Sequence, residues 1–149
     1  MKEIDELSRK ILGILRKDGR KSYAAIAQEV NLSSVAVRER VLQLKAEGVI
    51  EQFTTIVSAK ALGQRISVFF DIELEPKYLD SVVEDLKNQP EVFIVYQMTG
   101  ATSLHVHAFL PDNDKLAGFM KDHLYSIPGV KNINSHLLLK EYKSDLTMR

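Results

Sequence analysis

The chain of 149 residues has room for one ordinary domain or two small ones, and its 45% hydrophobic and 27% charged residues are typical of a globular protein. The sequence contains no cysteine, which excludes disulfides, thiolate catalysis and cysteine-ligated zinc. Its first residues are too charged for a signal peptide, and no apolar run approaches the roughly 18 residues that a membrane span needs. We therefore expect a cytoplasmic protein with no membrane partner.

The net charge is zero, but the two halves of the chain differ in sign. Residues 1–63 have a net charge of +3, and residues 64–149 have a net charge of −3. Between residues 8 and 45, nine basic residues stand against three acidic ones. This distribution predicts a polyanionic partner for the first half of the chain, with a solvated helix face as the alternative explanation of the charge.

The first half of the sequence predicts three helices. Apolar residues recur at helical spacing between residues 4 and 15, which indicates the first helix. Ser22 is a candidate N-cap for a short second helix, and Asn31 tolerates the left-handed conformation that ends many helices. Ser33 or Ser34 then caps a third helix. Two short helices joined by a tight turn make a helix-turn-helix.

The third predicted helix is amphipathic and basic. Val37, Val41 and Leu44 face inward, and short side chains on the outward first turn let the backbone approach base edges. We therefore predict double-stranded DNA as a partner, against the alternative of a three-helix bundle with an arginine face. The predicted contact residues are Ser33, Ser34, Val35, Ala36, Arg38, Glu39, Arg40, Gln43 and Lys45, together with Arg20 and Lys21. Arg40 lies off the outward stripe, where it binds either a phosphate or an acidic neighbour such as Glu29.

The second half of the sequence predicts strand-helix-strand-strand-helix-strand, which is the ferredoxin-like arrangement. The predicted strands cover residues 66–74, Glu91–Met98, 104–110 and Val130–Tyr142, with helices that start near Pro76 and Asp112 and a hairpin turn at residues 99–102. The fold class is thus α+β. We expect a helix-turn-helix domain over residues 1–50, an extended linker strand over 51–63 and a ferredoxin-like domain over 64–149.

Large apolar residues also occur on the sheet face that the helices should leave uncovered. A monomer does not leave such a patch in water, so we predict that two copies pack sheet against sheet. The predicted interface residues are Phe69, Phe93, Val95, Phe109 and Leu138.

Short motifs along nearly the whole chain occur in the order and spacing of a known family. They are Ile4-Asp5, Ile11-Leu12, Asp18-Gly19-Arg20, Leu32-Ser33, Arg40-Val41, Gly48-Val49-Ile50, Leu62-Gly63, Pro90-Glu91-Val92, Thr99-Gly100 and Pro128-Gly129-Val130. In these motifs the chain resembles leucine-responsive transcription regulators of the Lrp/AsnC ("feast/famine") family. The resemblance implies sequence-specific DNA binding and a C-terminal module that assembles dimers, often tetramers or octamers, and commonly binds an amino-acid effector between dimers.

The resemblance also implies an effector turn, and the sequence departs from the family there. The family's Gly-x-x-Asp-Tyr loop corresponds to residues 100–104, where Ser103 and Leu104 replace the aspartate and the tyrosine. The missing carboxylate is the group best suited to pair with an ammonium, so we expect weak binding of common amino acids or none. The implied effector residues are Thr99, Gly100, Ala101, Thr102, Ser103 and Ser135.

His105 and His107 favour other chemistry. They lie two apart on one strand face, which a metal could use, but no third ligand is placed by the sequence. We predict no metal, no cofactor and no catalytic residues. The alternative function is that of the tetrapyrrole (siroheme-type) decarboxylases that resemble this family and use histidines in the C-terminal module. We expect a regulator and not an enzyme, because such a decarboxylase has no need of a basic third helix.

Overall fold

The computed structural model describes residues 4–100, 103–145 and 147, which fall into two compact units. One unit is Met1–Ile56 with Asp145–Arg149, and the other is Val57–Ser144. In the predicted linker, residues 51–57 are exposed and pair with no strand in the described part of the chain. A short 3-10 turn, Lys60–Leu62, follows. Among the described residues, no helix is both long and apolar enough to cross a membrane.

The first unit contains the three predicted helices, α1 (Glu6–Lys17), α2 (Tyr23–Val30) and α3 (Ser34–Ala46). Each begins at an N-cap side chain that accepts a backbone N–H three residues later, a contact that stabilises a helix by about 1 kcal/mol. The caps are Asp5, Ser22 and Ser33. Asn31 has the expected left-handed conformation, with φ 54°. The helices enclose a core of Ile11, Ile26, Ala27, Val37 and Val41.

The second unit is a four-stranded antiparallel sheet with two helices. Its elements are β1 (Ile66–Leu74), α4 (Leu79–Lys87), β2 (Val92–Gln97), β3 (Leu104–Leu110), α5 (Asn113–Phe119) and β4 (Val130–Leu137). The strand order is β2-β3-β1-β4. This order with its two helices confirms the predicted ferredoxin-like fold.

The core of this unit lies between the sheet and the helices. Alternate residues of β1 and β3 are fully buried, as their period-2 sequence predicts, and they pack against Val82 and Leu86 of α4 and Phe119 of α5. No helix among the described residues of this unit lies on the opposite side of the sheet, which we call the open face. The fold therefore leaves one side of the sheet available for contact.

The last strand and the helix after Asp112 differ from the prediction in their extent or form. The last strand ends at Leu137 and not at Tyr142, because β1 begins at Ile66. The Leu138 N–H donates the last of the bonds between the two strands to the Ser67 carbonyl, at 2.8 Å. The helix after Asp112 continues beyond α5 as one π-helical turn, Met120–Leu124. Phe119 and Leu124 are both buried although an α-helix would place them about 140° apart, and the wider turn reduces that angle.

Candidate functional site

The start of α3 is exposed at Ser33, Ser34 and Val35. Ser33 holds the start of the helix by accepting the Ala36 N–H at 3.1 Å, and the Leu32 N–H bonds to the Ala27 carbonyl at 3.0 Å to close the turn. Val35 projects from this turn with 62% of its surface exposed. An exposed apolar side chain beside small residues at a helix N-terminus is suited to base edges and thymine methyl groups.

The two sides of α3 have different roles. Val37, Val41 and Leu44 are buried in the first unit as predicted. Arg38 and Glu39 are exposed, and within the described part of the chain the guanidinium of Arg38 has no hydrogen-bond or ion-pair partner. The exposed residues predicted for DNA contact on this side are Ser34, Val35, Arg38, Glu39, Gln43 and Lys45, of which Gln43 donates to Glu47 at 2.8 Å.

Two basic residues predicted to contact DNA form ion pairs with acidic residues of the first unit. Lys21 forms an ion pair with Glu29. Arg40 forms an ion pair with an acidic neighbour, one of the two predicted alternatives, but this neighbour is Asp5, at 2.7 Å, and not Glu29. The reason is geometric, because Arg40 lies beside the buried stripe of α3 and binds at the start of α1. Glu29 lies on α2 and pairs with Lys21, which precedes that helix. Arg20 is exposed, and its backbone N–H bonds to the Asp18 carboxylate at 3.0 Å.

The sequence analysis did not predict the polar cluster of Asp5 and Ser8 that binds Arg40. The Asp5 carboxylate caps α1 through the Ser8 N–H at 2.7 Å, and Nη1 of Arg40 donates both to it and to the Ser8 hydroxyl, at 3.1 Å. These hydrogen bonds, first that from the Ser8 backbone and then that from Arg40, lower the pKa of Asp5 to about 2. Asp5 was recognisable as a cap, but its partner lies 35 residues away and carries no local signal.

The open face of the second unit carries a cluster of aromatic rings. Phe93 meets Phe109 edge to face with ring centroids 4.8 Å apart, and Phe69 stacks on His107 at 4.2 Å. Phe93 is 62% exposed. Leu138 lies just past β4 and, with Phe69 and Phe109, lines a pocket of about 510 Å³ under residues 140–143. Four of the five predicted interface residues thus share this face.

The fifth predicted interface residue, Val95, is on the other face, and its prediction is wrong. A bulge between Val92 and Ile94 shifts the register against β3, so that Val95 lies opposite the buried Val106 and packs into the core. The extra residue of the bulge reverses which side chains of β2 point to each face of the sheet after it. Ile94 and Tyr96, opposite His107 and His105, come to the open face instead.

The histidines of the open face are held by neighbours on adjacent strands. Nδ1 of His105 lies 2.7 Å from the Asp71 carboxylate, and Nε2 of His107 lies 2.7 Å from the Ser67 hydroxyl. Burial, and then the nearby charge of His105, lowers the pKa of His107. Within the described residues, no group of three histidine, cysteine or acidic side chains is placed to hold a metal ion.

The predicted effector turn joins β2 to β3. Thr99 and Gly100 are exposed, and Gly100 has the positive φ, 99°, that glycine readily adopts. Ala101 and Thr102 lie outside the described residues. The Ser103 hydroxyl donates to the Leu74 carbonyl at 3.3 Å and accepts the Leu74 N–H at 3.2 Å. Both of these hydrogen bonds of the Ser103 hydroxyl go to the backbone of Leu74, the last residue of β1.

Ser135 is not brought next to this turn. It is exposed on β4 opposite Phe70, whereas the turn ends at Leu104, which lies opposite Ile72. Strand β1 separates the two positions within one chain. The predicted effector residues therefore form no single pocket in the described part of one chain.

Both units match known protein families. Residues 4–45 match the AsnC-type helix-turn-helix domain, and residues 67–148 match the Lrp/AsnC ligand binding domain. The chain belongs to the Lrp/AsnC family. It is 34% identical over 136 residues to an HTH-type transcriptional regulator of Pyrococcus horikoshii, an alignment that covers 91% of this chain and 86% of that relative.

Solved structures of Lrp/AsnC regulators share the fold over almost the whole chain. A transcriptional regulator of Neisseria meningitidis, solved in complex with L-Met, has a TM-score of 0.93 at 25% identity and covers 99% of this chain and 97% of its own. AsnC of E. coli has a TM-score of 0.90 at 26% identity, with 96% and 97% covered. This Lrp/AsnC chain is thus a DNA-binding transcription regulator. Nothing in these comparisons supports the tetrapyrrole decarboxylase alternative.

Proposed function

We propose that this regulator binds double-stranded DNA with α3 in the major groove and the exposed first turn of α3 against the base edges. One observation carries this proposal: the opposite side of α3 is buried, whereas Val35 and Arg38 are exposed and Arg38 is unengaged within the described chain. The backbone N–H groups at a helix start attract phosphate, and short side chains allow close approach. The proposed contacts are Ser33, Ser34, Val35, Ala36, Arg38, Glu39, Gln43 and Lys45, with Arg20 and Lys21 at the flank.

The same proposal assigns the open face to a second copy of the chain. Phe93, Tyr96 and Leu138 are 62%, 53% and 39% exposed, and together with the rings of Phe69 and Phe109 they form an apolar surface continuous across three strands. Burying such a surface in a dimer removes it from water. Assembly into tetramers or octamers, which the family resemblance implies, would build on this dimer.

We further propose that the regulator works in the cytoplasm, has no catalytic activity of its own, and responds only weakly to free amino acids. The relative in Pyrococcus horikoshii is an HTH-type transcriptional regulator. The Neisseria meningitidis regulator binds L-Met. Here the effector turn lacks a carboxylate, and the Ser103 hydroxyl is committed to Leu74.

DNA binding should depend steeply on salt. With roughly six or more phosphate contacts, affinity for a labelled duplex should fall about 10³-fold or more between 50 and 200 mM salt. Fluorescence anisotropy at the two salt concentrations measures this. An absorbance spectrum of the same preparation serves as the control, because a coloured, porphyrin-binding protein without affinity for duplex DNA would favour the decarboxylase and contradict the proposal.

Amino-acid binding should improve when the missing carboxylate is restored. A neutral hydrogen bond contributes about 0.5–1.5 kcal/mol and one to a charged group about 1.5–3, so Ser103→Asp should bind L-methionine about tenfold more tightly than the wild type. Isothermal titration calorimetry measures both constants.

The matched control is Ser103→Asn, which loses the same contact to Leu74 but adds no charge. It should bind no better than the wild type. Micromolar binding of any common amino acid by the wild-type protein would overturn the proposal of weak response, and so would equal gains in the two variants.

A further inference from the structure

We infer that Arg40 is a positioning residue, which sets the rotation of the DNA-reading helix α3 by tying it to the start of α1, and is not itself a phosphate contact. The inference rests on the proposed role of α3. It gives Arg40 a role different from the DNA contact that the sequence predicts for it.

The contacts of Arg40 are directed, and they are made by one nitrogen of its guanidinium. Its Nη1 donates to Oδ2 of Asp5 at 2.7 Å and to the hydroxyl of Ser8 at 3.1 Å, while Oδ1 of Asp5 accepts the Ser8 N–H at 2.7 Å. Ser8 is the one buried polar residue among the described residues, at 7% exposure. A buried hydroxyl needs a partner, and Arg40 supplies it. The same carboxylate thus caps α1 and holds α3.

The rest of the interface between α1 and α3 is apolar. Ile11 packs in a core with Val37 and Val41, and all three are aliphatic. Apolar burial is not directional, so this packing alone permits small rotations of α3 about its axis. Charge-assisted hydrogen bonds have a preferred geometry, and those from Arg40 are the directed contacts between these two helices in the described structure. They fix which side of α3 faces outward.

A positioning role and a phosphate contact for Arg40 predict opposite changes in DNA affinity when Asp5 is removed. Removing an acidic residue from a DNA-binding unit favours binding to phosphates. If Asp5 instead holds Arg40 and thereby α3, its removal should weaken binding. The sign of the change in DNA affinity therefore distinguishes positioning from direct phosphate contact.

The test compares DNA affinity and its salt dependence among variants of the full chain. Arg40→Met, which retains the apolar stem, and Asp5→Ser, which retains an N-cap, should each weaken binding on the order of tenfold, with a salt slope equal to that of the wild type. The double variant should be no weaker than either single one, because both remove the same contact. Circular dichroism identifies the temperature range in which all variants are folded.

The matched control is Glu29→Ala. This substitution breaks the ion pair between Glu29 and Lys21, which does not connect α3 to another helix. It should leave DNA affinity unchanged or raise it. Wild-type or tighter binding by Asp5→Ser would overturn the inference, as would a fall in the salt slope of about 1 in Arg40→Met, which marks a lost phosphate contact. A wild-type protein that binds no duplex DNA would instead contradict the proposed function.

Discussion

Replacing Phe109 by aspartate is expected to give a monomer. Phe109 is at the centre of the open face, where its ring meets those of Phe93 at 4.8 Å and His107 at 4.6 Å. In the proposed dimer a carboxylate at this position would be buried without a partner, which costs at least about 3 kcal/mol and raises the dissociation constant more than about a hundredfold. Sedimentation velocity at micromolar concentration measures the change.

The matched control is Tyr125→Asp, which places the same charge on an exposed aromatic residue outside the strands. Tyr125 is 65% exposed and follows the π-helical turn. This variant should sediment as the wild type does. A wild-type protein that is monomeric at micromolar concentration, or a Phe109→Asp variant that remains a folded dimer, would contradict the proposed assembly.

Replacing Arg38 by alanine is expected to cost about 1–3 kcal/mol of DNA-binding free energy if the guanidinium contacts a base. Arg38 is exposed on α3 and, among the described residues, has no protein partner to lose, so the change should leave the unfolding free energy nearly constant. The variant should also lose sequence preference at one position of each half-site. Anisotropy titrations on the selected site and on a scrambled site separate the two effects.

Lys121→Ala is the control for net charge, because Lys121 is an exposed basic residue of the second unit. It should bind DNA as the wild type does. An Arg38→Ala variant with unchanged affinity and unchanged sequence preference would remove Arg38 from the base-contacting set.

The parts of the fold that follow from local chemistry were predictable from the sequence. The N-caps at Ser22 and Ser33, the left-handed Asn31 and the alternation of β1 each depend on residues within a few positions of one another. The face of Val95 was not predictable, because a bulge against β3 reverses the alternation and depends on pairing between two strands.

The candidate site likewise has features that follow from local sequence and features that depend on long-range packing. The exposed side of α3 follows from its spacing, whereas the partner of Arg40 follows from the packing of α1 on α3. Ser103 was recognised as the replacement for a carboxylate. Its bonds to Leu74 depend on where β1 ends, which the sequence of the turn does not encode. Long-range pairing of polar groups is therefore what sequence patterns left unresolved in this protein.

The sequence that the wild-type protein selects from a random pool of duplex DNA tests the central claim most directly. A dimer that presents two copies of α3 about one helical turn apart, roughly 34 Å, should select a pseudo-palindrome with half-sites spaced by about one turn or a multiple of it. Selection of a single asymmetric site, or no enrichment of any sequence, would contradict the account.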